Sequence, residues 1–490
     1  MRTLFSNDLP KGWVWTTLQE ISEIILGQSP PSSTYNTKGE GLPFYQGKLE
    51  FGKLYPKPRK WCTEPKKIAQ KGDVFISIRA PVGPTNICPE KSAVGRGLAA
   101  IRGLGGIESF FILYLMRTFA NEIASKGTGT TFDAITVNQL KTFEIPLPPL
   151  AEQHRIVSKL ETLFTQLDLA VNNLKKAQVQ LQRYRRSILK AAFEGELTRE
   201  WREGYWEEPE PMEVSEISTL EGLSEPPDGW VWTTLANCAD ILDSQRVPIN
   251  AKERETRISG KSESQLYPYY GATGQVGWID DHLFDEELVL LGEDGAPFLD
   301  VLKDTAYLVK GKSWVNNHAH VLRAKTGATS NQFLCHYLNT FDYHGYLTGT
   351  TRLKLNQSTM RKIPVLLPSL PEQKQIVSEV ETHLSVSDKI EATLDAELKR
   401  AERLQQSILK DAFSGKLVPQ DPNDEPASTL LEKIRDEKER PQPKRRKKTT
   451  KSKTQSSDDY PLLALAGALE RNDDLIGDVS PVELRGGKGE

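Results

Sequence analysis

The sequence predicts an α+β protein: two similar globular domains separated by two long α-helices packed as an antiparallel coiled coil, with pseudo-two-fold symmetry. Three observations predict it. GWVWTTL stands at Gly12–Leu18 and again, unchanged, at Gly229–Leu235. The stretch AEQHRIVSKLETLF…SILKAAFEG, Ala151 to Gly195, returns as PEQKQIVSEVETHL…SILKDAFSG, Pro371 to Gly415, at a constant offset of 220 residues. Between these shared frames the two middles differ almost completely. Long-period repetition marks duplicated units, and the constant offset means that neither helix has gained or lost a turn.

The chain has 490 residues, enough for two or more domains with sizeable cores, and a formal net charge of -3. Global basicity is therefore absent, although a local basic face can sit inside a neutral chain. Cys62, Cys88, Cys238 and Cys335 form no CxxC pair, which fits a reduced compartment. The start lacks an apolar signal core, and no run reaches the roughly 18 apolar residues of a membrane span. A soluble, cytoplasmic protein is expected, with no membrane partner.

In chain order, Asp73–Ile78 and Gly97–Ile101 read as strands between turn signals, and Glu108–Ile123 as an amphipathic helix. A GTGTT loop at Gly127–Thr131 and the Pro-rich Ile145–Leu150 lead into the first long helix. The second unit repeats the plan, with strands at Glu287–Leu291 and Ala306–Val309 and a helix from Asn331 to about Tyr343. GTT returns at Gly349–Thr351, and IPVLLPSL at Ile363–Leu370. The boundaries follow: domain one 1–148, its helix 149–196, an acidic linker 197–228, domain two 229–368, its helix 369–416. An extension with a short helix covers 417–440. The tail, 441–490, is expected to be disordered. Eight Lys/Arg between Arg440 and Lys453 read as a solvated run, with electrostatic hold on nucleic acid as the alternative.

The first helix carries Ile156, Leu160, Leu163, Leu167, Ala170, Leu174, Ala177, Leu181, Tyr184, Ile188 and Ala191 in alternating steps of four and three, a coiled-coil seam over about five heptads. The second carries Ile376, Val380, Ile390, Leu394, Leu398, Ala401 and Ile408. At about 1.5 Å per residue each helix is a rod near 65 Å long. Such seams need partners. Packing the two against each other places one domain near each end; a coiled coil that only dimerises two chains is the alternative.

Catalytic signatures are missing. There is no GxxxxGK[ST] loop, no GxGxxG opening a helix and no [DNS]PP[YFW] segment. His318, His320, Cys335, His336 and His344 match no common zinc spacing, so no metal is assigned. Glu293 and Asp294 in GEDG read equally well as an acid–base pair or a glycine-flanked turn.

The assembled pattern resembles the specificity subunits of type I restriction-modification systems. The resemblance lies in the two GWVWTTL starts, the Pro-rich entries leading to EQ, the SILKxAFxG helix ends, LTREWR at Leu197–Arg202 and LVPQDPNDEPAS at Leu417–Ser428. It extends to GDVFISIRAPVGPTN (Gly72–Asn86) with VGRGLAAIR (Val94–Arg102), and to YPYYGATGQVGWIDDHLF (Tyr267–Phe284) with WVNNHAHVL (Trp314–Leu322). These middles are similar to two types of target recognition domain. The resemblance implies that each domain reads one half of a split, asymmetric site on double-stranded DNA. The helices would set the spacing and bind two methyltransferase subunits, which motor-endonuclease subunits can join. S-adenosylmethionine, ATP and Mg would belong to those partners; the chain itself would be non-enzymatic and bind no cofactor. A scaffold with no DNA role, and a stand-alone nuclease or methyltransferase, are the rival readings.

Base edges are read by Arg, Lys, Asn and Gln, and phosphates by Lys, Arg, Ser, Thr and amides. On that chemistry the DNA-contact candidates are Lys48, Arg79, Asn86, Arg96, Lys126, Thr130 and Thr131 in the first domain. In the second they are Tyr269, Tyr270, Asn316, Asn317, His318, Thr351 and Arg352. The two tyrosines read equally as core aromatics.

Overall fold

The computed structural model describes residues 9–127, 134–205, 225–300 and 302–440. Each domain opens and closes on the same clasp. Strand Val14–Thr17, from the first GWVWTTL, pairs antiparallel with Glu144–Leu147, immediately ahead of the long helix. Val231–Thr234 pairs in the same way with Pro364–Leu367. The β-branched and aromatic residues of VWTT suit a half-buried strand, and the prolines just beyond the partner strands, Pro148, Pro149 and Pro368, end the pairing ahead of each helix.

Behind the clasp sits an antiparallel four-stranded sheet. In domain one the order is Ser22–Leu26, Leu98–Gly103, Val74–Ser77, Thr85–Ile87; in domain two it is Ala239–Ile241, Ala319–Ala324, Leu288–Gly292, Ala306–Val309. Helices Ser109–Thr118 and Asn331–Thr340 pack on these sheets. The first is shorter than the sequence pattern predicts, because the chain leaves helical geometry at Phe119 and restarts as Ala120–Ser125. The middles build a second sheet in each domain, five-stranded in the first and four-stranded in the second. Both contain one parallel pair, Leu42–Tyr45 with Ser92–Val94 and Tyr267–Gly271 with Lys312–Val315.

The long helices are Leu150–Phe193 and Leu370–Phe413, 44 residues each. Gln178 donates to Asp395 at 2.8 Å and Gln182 to Glu391 at 3.0 Å, and Arg185 reaches Asp388. Numbers rise on one helix as they fall on the other, so the pair is antiparallel.

The predicted continuous seam is corrected. Ile156 and Leu160 are buried in the core of domain one, and Ile376 and Val380 in that of domain two, rather than in a helix–helix seam. Ile408 joins the core of domain one; Leu163 and Ile188 pack at the edges of the two cores. Along the middle Leu181 and Ala401 are buried, and Leu167, Leu174, Leu394 and Leu398 only partly so. Ile390 and Tyr184 are exposed, and Tyr184 instead shares a hydrogen bond with His383 at 2.9 Å. An apolar residue at heptad spacing contributes to the seam only where the partner helix, rather than a domain, faces it.

The helix ends are exchanged between domains. Leu409, Ala412 and Phe413 of the second helix lie in the core of domain one, together with Ala427, Leu430, Leu431 and Ile434 of the following helix, Ala427–Glu439. Leu189, Ala192 and Phe193 of the first helix lie in the core of domain two. The repeated Phe of SILKxAF therefore has one job twice: Phe413 sits 5.5 Å from Phe111 and Phe193 5.2 Å from Phe333, ring centre to ring centre. The repeated Trp and Glu do likewise. Trp13 Nε1 donates to buried Glu152 at 2.9 Å, and Trp230 Nε1 to buried Glu372 at 3.0 Å. Segments beyond each helix complete these clusters. Thr198 and Arg202 donate to Glu372 at 2.8 and 2.6 Å, and Gln420 donates to Glu152 at 3.4 Å. The opening of the acidic linker is thus docked structure, with a helix at Arg199–Gly204. No helix of the described residues is long and apolar enough to cross a membrane.

Candidate nucleic-acid interface

The two domains place equivalent loops around one location each, and the backbone bonds give the correspondence residue by residue. Gly95 N donates to Tyr45 O at 2.8 Å, and Asn316 N to Tyr270 O at 3.0 Å. Ile78 N donates to Gly97 O at 3.0 Å, and Glu293 N to His318 O at 2.8 Å. Isolated bridges join Arg79 to Ala134 and Asp294 to Lys354. Gly95-Arg96-Gly97 therefore matches Asn316-Asn317-His318, and Arg79 matches Asp294.

In domain one this location gathers Arg79 and Arg96, both exposed and without a carboxylate partner among the described residues. Gly95 and Gly97 are buried against the turn at Gln46. A Cβ on Gly97 would lie 2.2 Å from Gln46 O, so the close approach excludes any side chain there. Lys48, exposed, stands two residues beyond Gln46. Lys126 lies 5.0 Å over the Phe143 ring, a cation–π contact that holds it to the body of the domain. Thr130 and Thr131 lie outside the described residues. Asn86 is withdrawn from the candidates. It is buried, it donates to Gly52 O at 2.9 Å and to Thr85 O at 2.8 Å, and it accepts from Gly52 N at 3.0 Å. Its amide is used in holding strand to loop.

In domain two Asn317 is exposed and makes no side-chain hydrogen bond among the described residues. His318 Nδ1 lies 2.6 Å from Asp294 Oδ1, and Arg352 donates to the same oxygen at 2.9 Å. Asp294 thus partly neutralises this face and fixes the hairpin that carries Arg352 and exposed Thr351. Three candidates are corrected. Asn316 is buried and its Oδ1 accepts from His318 N at 2.8 Å, shaping the loop. Tyr269 is a core aromatic packed with Ile279 and Trp314, with the Arg254 guanidinium 4.8 Å over its ring. Tyr270 is half-buried at the edge of another core cluster, near Tyr307.

A charged network lies behind this face, and sequence reasoning missed it. His320 donates through Nε2 to Leu355 O at 2.8 Å and faces Asp243 Oδ2 through Nδ1 at 2.6 Å. Arg246 donates to Glu293 at 2.7 Å, and Gln357 donates to Asp243 at 2.9 Å. Burial pushes both carboxyls up. For Asp243 the His320 bond and charge outweigh it; for Glu293 the Arg246 and Lys354 bonds do. Both stay below the ordinary range. Asp243, Glu293 and His320 bring ligand atoms within 4.8 Å of one another. The donor set does not suit a metal, because a guanidinium already neutralises the carboxylates and Nε2 is held by a carbonyl. Glu293 of GEDG is therefore a half-buried structural partner. Among the other zinc candidates, burial drives the Cys335 thiol up to about 12 and the His336 imidazole down to about 4. Cys335 lies within the packing helix Asn331–Thr340.

The model of the type I restriction modification DNA specificity domain matches this chain twice, over residues 10–180 and 228–400. The chain belongs to that family. Each match joins one domain to most of the helix that follows it. Among specificity-subunit relatives, that of the EcoDI type I restriction enzyme of Escherichia coli is 26% identical over 464 residues, 88% of this chain and 96% of its own length. The putative MjaX specificity subunit of Methanocaldococcus jannaschii is 38% identical over 193 residues, 39% of this chain and 44% of the relative. A solved chain from work on complex assembly and conformational transition of the type I R-M system superposes with a TM-score of 0.63 at 19% identity. It covers 84% of this chain and 99% of its own length. That likeness supports the fold: two specificity domains carried on paired long helices.

Proposed function

We propose that this chain is the DNA-reading subunit of a type I restriction-modification complex. It directs two methyltransferase subunits, and restriction subunits where present, to a bipartite asymmetric site, and it performs no chemistry of its own. One observation carries the reading: domains of one frame, held at opposite ends of a rod about 65 Å long, present chemically different side chains at equivalent positions. Two unlike readers on a fixed spacer suit two unlike half-sites with a fixed gap. Half-sites on one face of B-DNA lie about 34 Å apart, a span the rod accommodates when its domains overlap the ends. S-adenosylmethionine, ATP and Mg belong to the partner subunits in this reading, and the complex acts in the cytoplasm. Exposed apolar residues along the rod, Val386, Ile390 and Leu404 among them, are compatible with partner docking there.

Co-expression with a cognate methyltransferase, followed by genome-wide mapping of methyladenine, should return a single bipartite motif with one gap length. Unchanged methylation despite assembly of the complex would defeat the proposal and favour a scaffold without DNA recognition. The spacer has its own test. Four residues inserted near Gln178 add about 6 Å of helix, so the methylated gap should change or methylation should fail. An unchanged gap at full activity would show that the helices do not set the spacing.

A further inference from the structure

The correspondence between the loops bears on what each domain reads. We infer that Arg96 and Asn317 occupy the same reading station in the two domains, Arg96 selecting a guanine in one half-site and Asn317 an adenine in the other. This rests on the DNA-reading function proposed above.

Both residues stand at the centre of a three-residue loop joining the parallel pair to the central sheet. In each case the flanking residues are tied down. Gly95 and Gly97 are buried against the Gln46 turn, with no room at Gly97 for a Cβ. Asn316 is buried and bonded to the His318 amide, while the His318 ring is held by Asp294. The central side chain alone is exposed with no bonded partner among the described residues. Pinned backbone beneath an uncommitted polar side chain is the arrangement that reading requires, since little ordering remains to be done on binding. The chemistry of the two side chains then differs in kind. A guanidinium fork donates twice and matches the O6 and N7 acceptors of guanine; a carboxamide donates once and accepts once and matches N7 and N6 of adenine. The surroundings agree with this difference. Beside Arg96 the equivalent neighbour is a second exposed cation, Arg79, with no carboxylate partner among the described residues. Beside Asn317 it is Asp294, whose carboxylate is bonded by the His318 ring and the Arg352 guanidinium.

The test uses the chain assembled with its methyltransferase subunits. Methyladenine mapping of the wild-type complex should give a motif with a fixed guanine in one half-site and a fixed adenine in the other. R96A should relax one guanine position and leave the gap and the other half-site unchanged; N317A should relax one adenine position of the opposite half-site. Duplexes altered at these single positions should bind about 5- to 150-fold more weakly to wild type, and this ratio should fall toward one in the matching variant. If R96A fails to assemble, R96Q replaces it, since a carboxamide does not match the two guanine acceptors, whereas a lysine still would. Relaxation at the guanine supports the assignment, whereas an unrelaxed motif would make Arg96 a phosphate contact and overturn it. A wild-type bipartite motif unaffected by either variant also overturns it. Absence of any bipartite motif in the wild type would instead defeat the DNA-reading function itself.

Discussion

In domain one, Phe413 closes the core against Phe111; in domain two, Phe193 closes it against Phe333. Trp13 meets Glu152, and Trp230 meets Glu372. A few residues away the likeness stops: Arg96 faces Asn317 in the correspondence, and Arg79 faces Asp294. The frame is held constant because it builds the joint between domain and rod, where a displaced side chain would tilt a whole reader. The side chains at the loop centres are free to differ because, unlike their pinned flanks, they touch little besides solvent and whatever they read. Recognition can therefore change without altering the geometry that presents it.

The largest expected effect tests the exchanged helix ends. Phe413→Ala and Phe193→Ala each empty a buried aromatic site, a loss of about 3–5 kcal/mol. Phe413→Ala should abolish hydrogen-exchange protection in Ser109–Thr118, and Phe193→Ala in Asn331–Thr340. If each substitution loosened only the domain preceding its own helix in sequence, the exchange of ends would be wrong.

The repeats told where the frame lay, since identical residues at a constant offset do identical work. They did not tell where the side chains point. The heptad pattern places Ile156, Leu160, Ile376 and Val380 in one seam with Leu181, yet periodicity records only that a residue is apolar on a helix face. Here the face turns from domain to helix along its length. Asn86, Asn316 and Tyr269 carry the right groups for DNA, but burial and bonded partners withdraw them, and neither is visible in a residue's identity. Asp294 stood out in GEDG, but its pairing was not legible, because its partner Arg352 is 58 residues away. Aligning VGRGL with VNNHA, both following a strand that ends in Val, is the one sequence signal that joins Arg96 to Asn317.

The smallest effects separate the two buried glutamates of the frame. Glu372 holds Arg202 in a charged hydrogen bond, so Glu372→Gln should cost about 1.5–3 kcal/mol at neutral pH. Glu152 has no ion-pair partner at equivalent reach among the described residues; burial raises its carboxyl against the Trp13 and Gln420 bonds. An acid raised in the folded state binds its proton more tightly there. Wild-type stability from this group is thus complete below about pH 4.3 and declines as pH rises through the raised value. Glu152→Gln, which imitates the protonated form, should be nearly neutral at acid pH and gain on wild type as pH rises. Glu293, depressed by Arg246 and Lys354 despite burial, has the reverse sign. The penalty of Glu293→Gln should be full above about pH 4.3 and vanish as pH falls through the lower folded value. Urea unfolding of the three chains between pH 3 and 8 reads both slopes. Equal slopes for Glu152→Gln and Glu293→Gln would mean that the frame and the network behind the reading face do not differ in charge as their geometry implies.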